Sequence, residues 1–315
     1  MKPKFILTVD TEWDRKPSPK TVSIENISRL KNFQDLCANF NVKPTYLCSY
    51  EVITSRLFAD FLKQSVSDEY EIGAHLHPWT TPPFTPIDRI EKKPYPTEFS
   101  EEIFCEKLEN LTKEIEKRDK QPLSYRGGRF GFDHEKQARI LLDLGYKIDC
   151  SVTPGINWQE VKGFSAGGPD FSGYPENCFY ISREGRIVKE RLEEGILEVP
   201  VTIFREGENY TWLRPLPHTV SMFKIKYKVL KIAKIRNLCD LAINKGSRKV
   251  LHMFIHSNEL HEDCNPYFTT PWAVARLLKF FKNFFNYLDK NEIESISLSD
   301  FYDLEKCENT AGRYE

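Results

Sequence analysis

Short apolar runs alternate with longer amphipathic stretches along most of this chain. Runs of strand length and composition predict β-strands at Lys4–Asp10, Thr45–Ser49, Tyr70–His77, Leu123–Arg126, Tyr146–Cys150, Ile196–Phe204, Val250–His256 and Glu294–Ser297. Helical spacing of apolar positions predicts helices over Ile24–Phe40, Glu101–Lys117, Glu135–Leu144, Ser221–Asn244 and Pro271–Leu288. Some boundaries carry their own signals. Asp133 stands where an N-cap is needed, and Gly145 stands where a left-handed residue closes the same helix. Thr270 followed by Pro271 marks the start of the last long helix. Strands that alternate with helices imply parallel βαβ units with right-handed crossovers. Seven or eight such strands predict an α/β fold whose parallel sheet closes, or nearly closes, into a barrel.

Two stretches break the alternation. Pro78–Pro96, within a loop expected over 78–100, holds six prolines and cannot be helical. Residues 151–195 are rich in glycine, proline and aromatic side chains. Irregular segments of that length are commonly functional loops or lids. Each follows a strand that ends in polar residues.

At 315 residues the chain is long for one domain, but α/β barrels of more than about 250 residues form single units. One domain over residues 1–315 is therefore expected. A composition of 40% hydrophobic and 29% charged residues excludes a disordered or collagenous chain. No apolar run approaches the ~20 residues of a membrane span. A net charge of −1 leaves no global basic field for nucleic acid. The apolar stretch after Lys4 is too short for a secretory signal and lacks a small-residue cleavage site. Eight cysteines are scattered singly without a C-x-x-C pair, as free thiols would be. A cytoplasmic protein is expected.

In a parallel barrel the carboxyl ends of the strands converge on one mouth. Those ends carry Asp10, Glu12, His75, His77, Arg126, Asp149 and His256. Alternation puts Asp10 and Glu12 on one side of an extended chain. The same holds for His75 and His77, because Pro78 forbids a helix there. Two imidazoles and a carboxylate leave zinc an open position for water, as hydrolytic zinc requires. Arg126 begins the turn Arg126-Gly127-Gly128-Arg129-Phe130-Gly131, and a guanidinium near Asp10 keeps that carboxylate ionised. The glycines would let backbone N–H groups approach an oxyanion; Arg129 alone reads as a surface arginine. His256 is a candidate general acid, with Asp149 across the mouth holding its second nitrogen. His252 lies deeper and reads as a packing residue. Solvated loop carboxylates and satisfied core histidines remain open alternatives for these positions.

Taken in order, Thr8-Val9-Asp10-Thr11-Glu12, Gly73-Ala74-His75-Leu76-His77-Pro78-Trp79, Arg126-Gly127-Gly128, Asp149 and Ile255-His256 resemble the motifs of a known family. It is the polysaccharide deacetylase family with the NodB-homology domain, carbohydrate esterase family 4. The resemblance spans nearly the whole chain. It is greatest to an atypical branch found with surface-polysaccharide genes, which Ser151-Val152-Thr153-Pro154-Gly155 also fits. It implies a distorted (β/α) barrel and one divalent metal ion, commonly zinc. The implied reaction removes N-acetyl groups from an amino sugar or glycan precursor. Asp10 takes the place of the catalytic base. Thr11 stands where the usual metal carboxylate would be, so Glu12 becomes the ligand, with His75 and His77. Trp79 occupies the usual second histidine's position, and Gly128 replaces the proline of the arginine motif. Asp149 matches the fourth motif's acid, and His256 matches the general acid.

Three other readings compete. Gly163-Phe164-Ser165-Ala166-Gly167 matches the G-x-S-x-G elbow of serine hydrolases, but the flanking residues look like neither the strand nor the helix that an elbow needs. A barrel that has lost its metal would bind carbohydrate or a partner protein without catalysis. Residues 221–249 carry seven lysines and two arginines against one acid, Asp240. Phe223, Tyr227 and Leu230 lie at helical spacing there, as in a core-packing helix with a solvated basic face, or in a basic amphipathic arm that meets an anionic membrane surface or a nucleotide- or lipid-diphosphate-linked glycan. That arm would place the protein peripherally at the inner face of a membrane.

Overall fold

The computed structural model describes residues 2–15, 21–207, 209–215, 221–222, 225–226 and 232–311. The elements follow in order: β1 (Lys4–Thr11), α1 (Leu30–Ala38), β2 (Pro44–Cys48), α2 (Tyr50–Ile53), α3 (Arg56–Gln64), β3 (Glu71–Leu76) and α4 (Glu101–Glu116). Next come β4 (Ser124–Gly127), α5 (His134–Asp143), β5 (Ile148–Asp149), β6 (Phe179–Ser182), β7 (Ile187–Val188) and β8 (Gly195–Glu198). Two hairpins follow, β9 (Ile203–Glu206) with β10 (Asn209–Trp212) and β11 (Ser221–Met222) with β12 (Ile225–Lys226). The chain continues through α6 (Ile232–Asn244), β13 (Val250–His256), α7 (Pro271–Lys290) and α8 (Leu298–Ala311).

One sheet of nine strands has the order β13-β1-β2-β3-β4-β5-β8-β6-β7. Its members from β13 to β8 run parallel, which makes seven parallel strands, as the sequence alternation predicts. β6 and β7 run antiparallel at the far side. The chain leaving β8 reaches back to the opposite edge. There Thr202 N–H donates to His252 O at 3.0 Å, and His252 N–H donates to Thr202 Oγ1 at 2.8 Å.

Alternation along the strands separates two apolar layers. Phe5, Leu7 and Val9 join Tyr46, Cys48, Ile72, Ala74 and Leu76 in the layer that the helices cover. Ile6 joins Leu47, Ile148, Cys150 and Leu197 on the other face, where Leu298 and Phe301 of α8 pack against them. On that inner face Gly73 admits no side chain, because a Cβ would lie 2.2 Å from Ser124 Oγ and 2.7 Å from Leu47 Cδ2. Thr8 and Asp10 continue the Ile6 face towards the carboxyl end of β1, so the sheet delivers its polar ends above an apolar floor.

The structure departs from the sequence reading in definable places. Ile196–Phe204 is two strands, because Pro200 cannot donate to a ladder. Glu294–Ser297 forms only an isolated bridge, Ser295 with Phe5. Residues 25–29 form a 3-10 turn ahead of α1 instead of its first turns. The long segment 151–195 contains the β6–β7 hairpin. Within Ser221–Asn244 only α6 is helical among the described residues, and Phe223, Tyr227 and Leu230 lie outside them. No helix among the described residues is long and apolar enough to cross a membrane.

Candidate metal centre

Glu12, just past β1, and His75 and His77, at the end of β3, converge and are all buried. Glu12 Oε2 lies 3.1 Å from His77 Nε2 and 3.6 Å from His75 Nε2. Ligand atoms that each sit about 2.0–2.2 Å from a tetrahedral ion are roughly 3.3–3.6 Å apart, so these separations lie within a few tenths of an ångström of what a shared ion needs. The surroundings orient the donors. Arg126 O accepts from His75 Nδ1 at 3.1 Å, which directs Nε2 at Glu12 and makes it the nitrogen that would ligate an ion once deprotonated. Arg15 Nε and Asn258 Nδ2 donate to Glu12 Oε1 at 2.7 and 3.0 Å, so Oε2 is the oxygen presented to the histidines. Burial opposes the charge on Glu12, but Arg15, His256 and the two imidazoles more than offset it and hold the carboxyl well below its ordinary range. Trp79, in the usual second-histidine position, stacks on His77 with ring centroids 4.4 Å apart.

Asp10 lies level with His256 across the β1–β13 register, as His75 lies level with Arg126 across β3–β4. Arg126 Nη1 donates to Asp10 Oδ1 at 2.5 Å, and its Nε donates to Cys150 O at 2.9 Å. Burial works to raise the Asp10 pKa, yet Arg126 first and the histidines next keep it below the ordinary value. Asp10 Oδ2 faces His256 Nε2 at 3.8 Å. Below them, His252 Nε2 contacts Thr8 Oγ1 at 3.0 Å and Arg126 Nη2 at 3.2 Å, while its Nδ1 lies 3.0 Å from Val199 O. Burial, with Arg126 next, pushes the His252 pKa down to about 3, so this imidazole is a neutral support for Arg126.

Asp149 does not meet His256. Ser151 Oγ and N–H donate to its two oxygens at 2.7 and 3.1 Å, and its other neighbour is Glu198 at the end of β8. The partner of His256 is Glu259, whose Oε1 lies 2.9 Å from Nδ1. Glu259 in turn accepts from Arg214. The sequence reading does not single out Glu259, although its place three residues beyond His256, in the 3-10 turn Ser257–Leu260, is a usable signal. Glu198 is likewise a strand-end carboxylate.

Two backbone donors of the glycine turn are already taken. Gly127 N–H donates to Ser151 Oγ at 2.9 Å and Gly131 N–H to Gly128 O at 3.0 Å, so both are occupied within the fold. Close packing is what these glycines supply: a Cβ on Gly128 would lie 2.6 Å from Leu76 O and 2.8 Å from the His77 ring. The serine-elbow reading finds no strand–turn–helix. Ser165 sits on an exposed turn closed by the Lys162–Gly167 bridge, with Glu98 accepting its N–H at 2.7 Å.

No protein-family model and no curated protein matches this sequence. Solved structures do. A Mycobacterium smegmatis protein assigned as a polysaccharide deacetylase superposes with a TM-score of 0.52 at 14% identity, over 90% of this chain and 78% of its own. A Parabacteroides distasonis protein assigned as a glycoside hydrolase/deacetylase gives 0.59 at 12% identity, over 96% and 71%. The 4-alpha-glucanotransferase of Thermococcus litoralis gives 0.55 at 13% identity, over 96% of this chain but 40% of its own. The fold of this chain is that of the polysaccharide deacetylases, a sheet architecture that the glucanotransferase also contains.

Proposed function

We propose that this chain is a metal-dependent hydrolase that removes an N-acetyl group from an amino sugar or glycan precursor, with residues 1–315 as one catalytic domain. The observation that supports it best is the convergence of Glu12, His75 and His77 beside an Asp10 held by Arg126 and a His256 held by Glu259. Glu12, His75 and His77 would hold the ion, zinc being suited to two imidazoles and a carboxylate. Such an ion supplies Lewis acidity towards an acyl oxygen and makes water more acidic.

The chain's own groups account for the proton movements. Asp10 is kept ionised by Arg126 on Oδ1, which leaves Oδ2 as the atom that accepts the proton of an attacking water. The Nδ1 contact with Glu259 fixes the His256 ring, so that protonated Nε2 points at the reaction space and delivers its proton to the departing amine. Without that proton the amine is a poor leaving group. Arg126, His252 and Glu259 position these two groups. The free cysteines, five of them buried, accord with a reducing compartment, and we place the enzyme in the cytoplasm.

A screen of acetate release over N-acetylated amino sugars and their oligomers tests the reading. Asp10→Asn should lower turnover on a responsive substrate by about 10²–10⁴-fold, while the folded protein keeps its bound metal. An Asp10→Asn protein with full turnover would assign the base elsewhere.

A further inference from the structure

Three cationic residues adjoin one another beside this centre, Arg15 through Glu12, Lys93 through the Trp13 ring and Arg129 through Lys93 O, and Lys93 and Arg129 form no salt bridge among the described residues. Arg15 gives its Nε to Glu12 at 2.7 Å. Lys93 holds its Nζ 5.0 Å from the centre of the Trp13 ring, in the residue directly after Glu12, and makes no ion pair or side-chain hydrogen bond among the described residues. Its backbone has φ 50°, a left-handed conformation unusual for lysine. Arg129, also left-handed at φ 58°, donates to Lys93 O and Lys162 O at 2.5 and 2.9 Å. Its guanidinium lies 4.2 Å from the Tyr95 ring centre and forms no salt bridge among the described residues.

We propose that Arg15, Lys93 and Arg129 form an oxyanion subsite, so that the substrate carries a phosphate or carboxylate close to its acylated amine. This rests on the deacetylase reading and adds a substrate class to it. The physical ground is charge balance. All three side chains are half-buried, only Arg15 has a salt-bridge partner among the described residues, and the positive charge left on Lys93 and Arg129 is more favourable when a further anion joins them. Burial first, then Arg15 and Arg129, lower the pKa of Lys93, with Glu12 opposing. Burial first, then Arg15, lower that of Arg129, with Tyr95 and Glu98 opposing. Glu98 acts on Arg129 only through space and forms no salt bridge with it, since its oxygens accept from the backbone N–H of Tyr95, Phe164, Ser165 and Ala166. Lysine supplies a point charge and arginine a planar fork, a combination that recognises phosphate and carboxylate oxygens.

Calorimetric titration of the full-length protein, passed over a chelating resin and held at low salt, tests this with inorganic phosphate, pyrophosphate and glucuronate. At least one probe should bind, and which one binds separates phosphate from carboxylate. Lys93→Met should weaken its Kd by at least about tenfold, or ~1.4 kcal/mol. Lys93→Arg should recover most of the loss, and Lys279→Met, on the exposed side of α7, should change nothing. Absence of binding for all three probes overturns the proposal, as does an equal Kd for Lys93→Met and wild type, or an equal loss in Lys279→Met. Because binding is read without turnover, failure here leaves the hydrolase reading standing, and an inactive enzyme that binds phosphate leaves the subsite standing.

Discussion

His256 meets two carboxylates with two different nitrogens, Glu259 through Nδ1 and Asp10 through Nε2. Burial and then Arg15 lower its pKa, while Glu12 and Glu259 oppose them. A general acid works only when protonated, so the rate falls as pH rises through its pKa. Removing the Glu259 charge makes the imidazolium less favourable, which moves that alkaline limb to lower pH. Glu259→Gln should therefore bring the limb down by roughly one pH unit, the low end of what an adjacent opposite charge contributes. Asp149→Asn should leave it in place, since Asp149 is bonded to Ser151 rather than to His256. A pH–rate profile in which Asp149→Asn moves the limb and Glu259→Gln does not would reverse the assignment.

At the scale of elements, the ends of β5 and β8 are joined by a carboxyl pair. Val152 N–H donates to Glu198 Oε1 at 3.1 Å, while Glu198 Oε2 has no hydrogen-bond partner among the described residues and the residue lies level with Asp149 across the β5–β8 register, so a proton shared between the two carboxyls is expected. Burial, with the Asp149 charge next, raises the Glu198 pKa well above its ordinary value. In the unfolded chain that proton is lost above about pH 4.3, whereas the folded chain keeps it. Stability from this group is therefore complete at acid pH and declines as pH rises towards the folded pKa, by about 1.4 kcal/mol for each pH unit between the unfolded and folded values. Glu198→Gln keeps a donor for Asp149 and an acceptor for Val152 without the titration. Urea denaturation should show this variant gaining on wild type as pH rises above about 5; parallel stability curves would contradict the shared proton.

The same two elements show what is legible in the sequence. The ends of β1, β3, β4 and β13 are readable because period-two alternation and Pro78 dictate where Asp10, His75, His77, Arg126 and His256 lie. Glu198 is hidden inside Ile196–Phe204, which has the composition of one strand and is divided by Pro200. Strand ends alone point to Asp149 as the partner of His256, but a 3-10 turn brings Glu259 back locally, and Ser151 captures Asp149 first. The β6–β7 hairpin and α8 leave little trace in the sequence because their packing is set by tertiary contact rather than by a strong local period.

Across the whole molecule, an apolar floor of Ile6, Leu47, Ile148 and Leu197 lies beneath a polar upper layer at the strand ends. That arrangement suits the proposed ion, because the ligand atoms of Glu12, His75 and His77 lie within 4.8 Å of one another. Metal content by mass spectrometry, after zinc loading and exhaustive dialysis, is the measurement that tests this most directly. The structure predicts about one tightly held ion per chain in wild type and in Asp10→Asn, and less than about a tenth of that in His75→Ala and in Glu12→Gln. Wild-type protein that retains no stoichiometric metal, or a folded Glu12→Gln/His75→Ala double variant that retains all of it, would contradict the account.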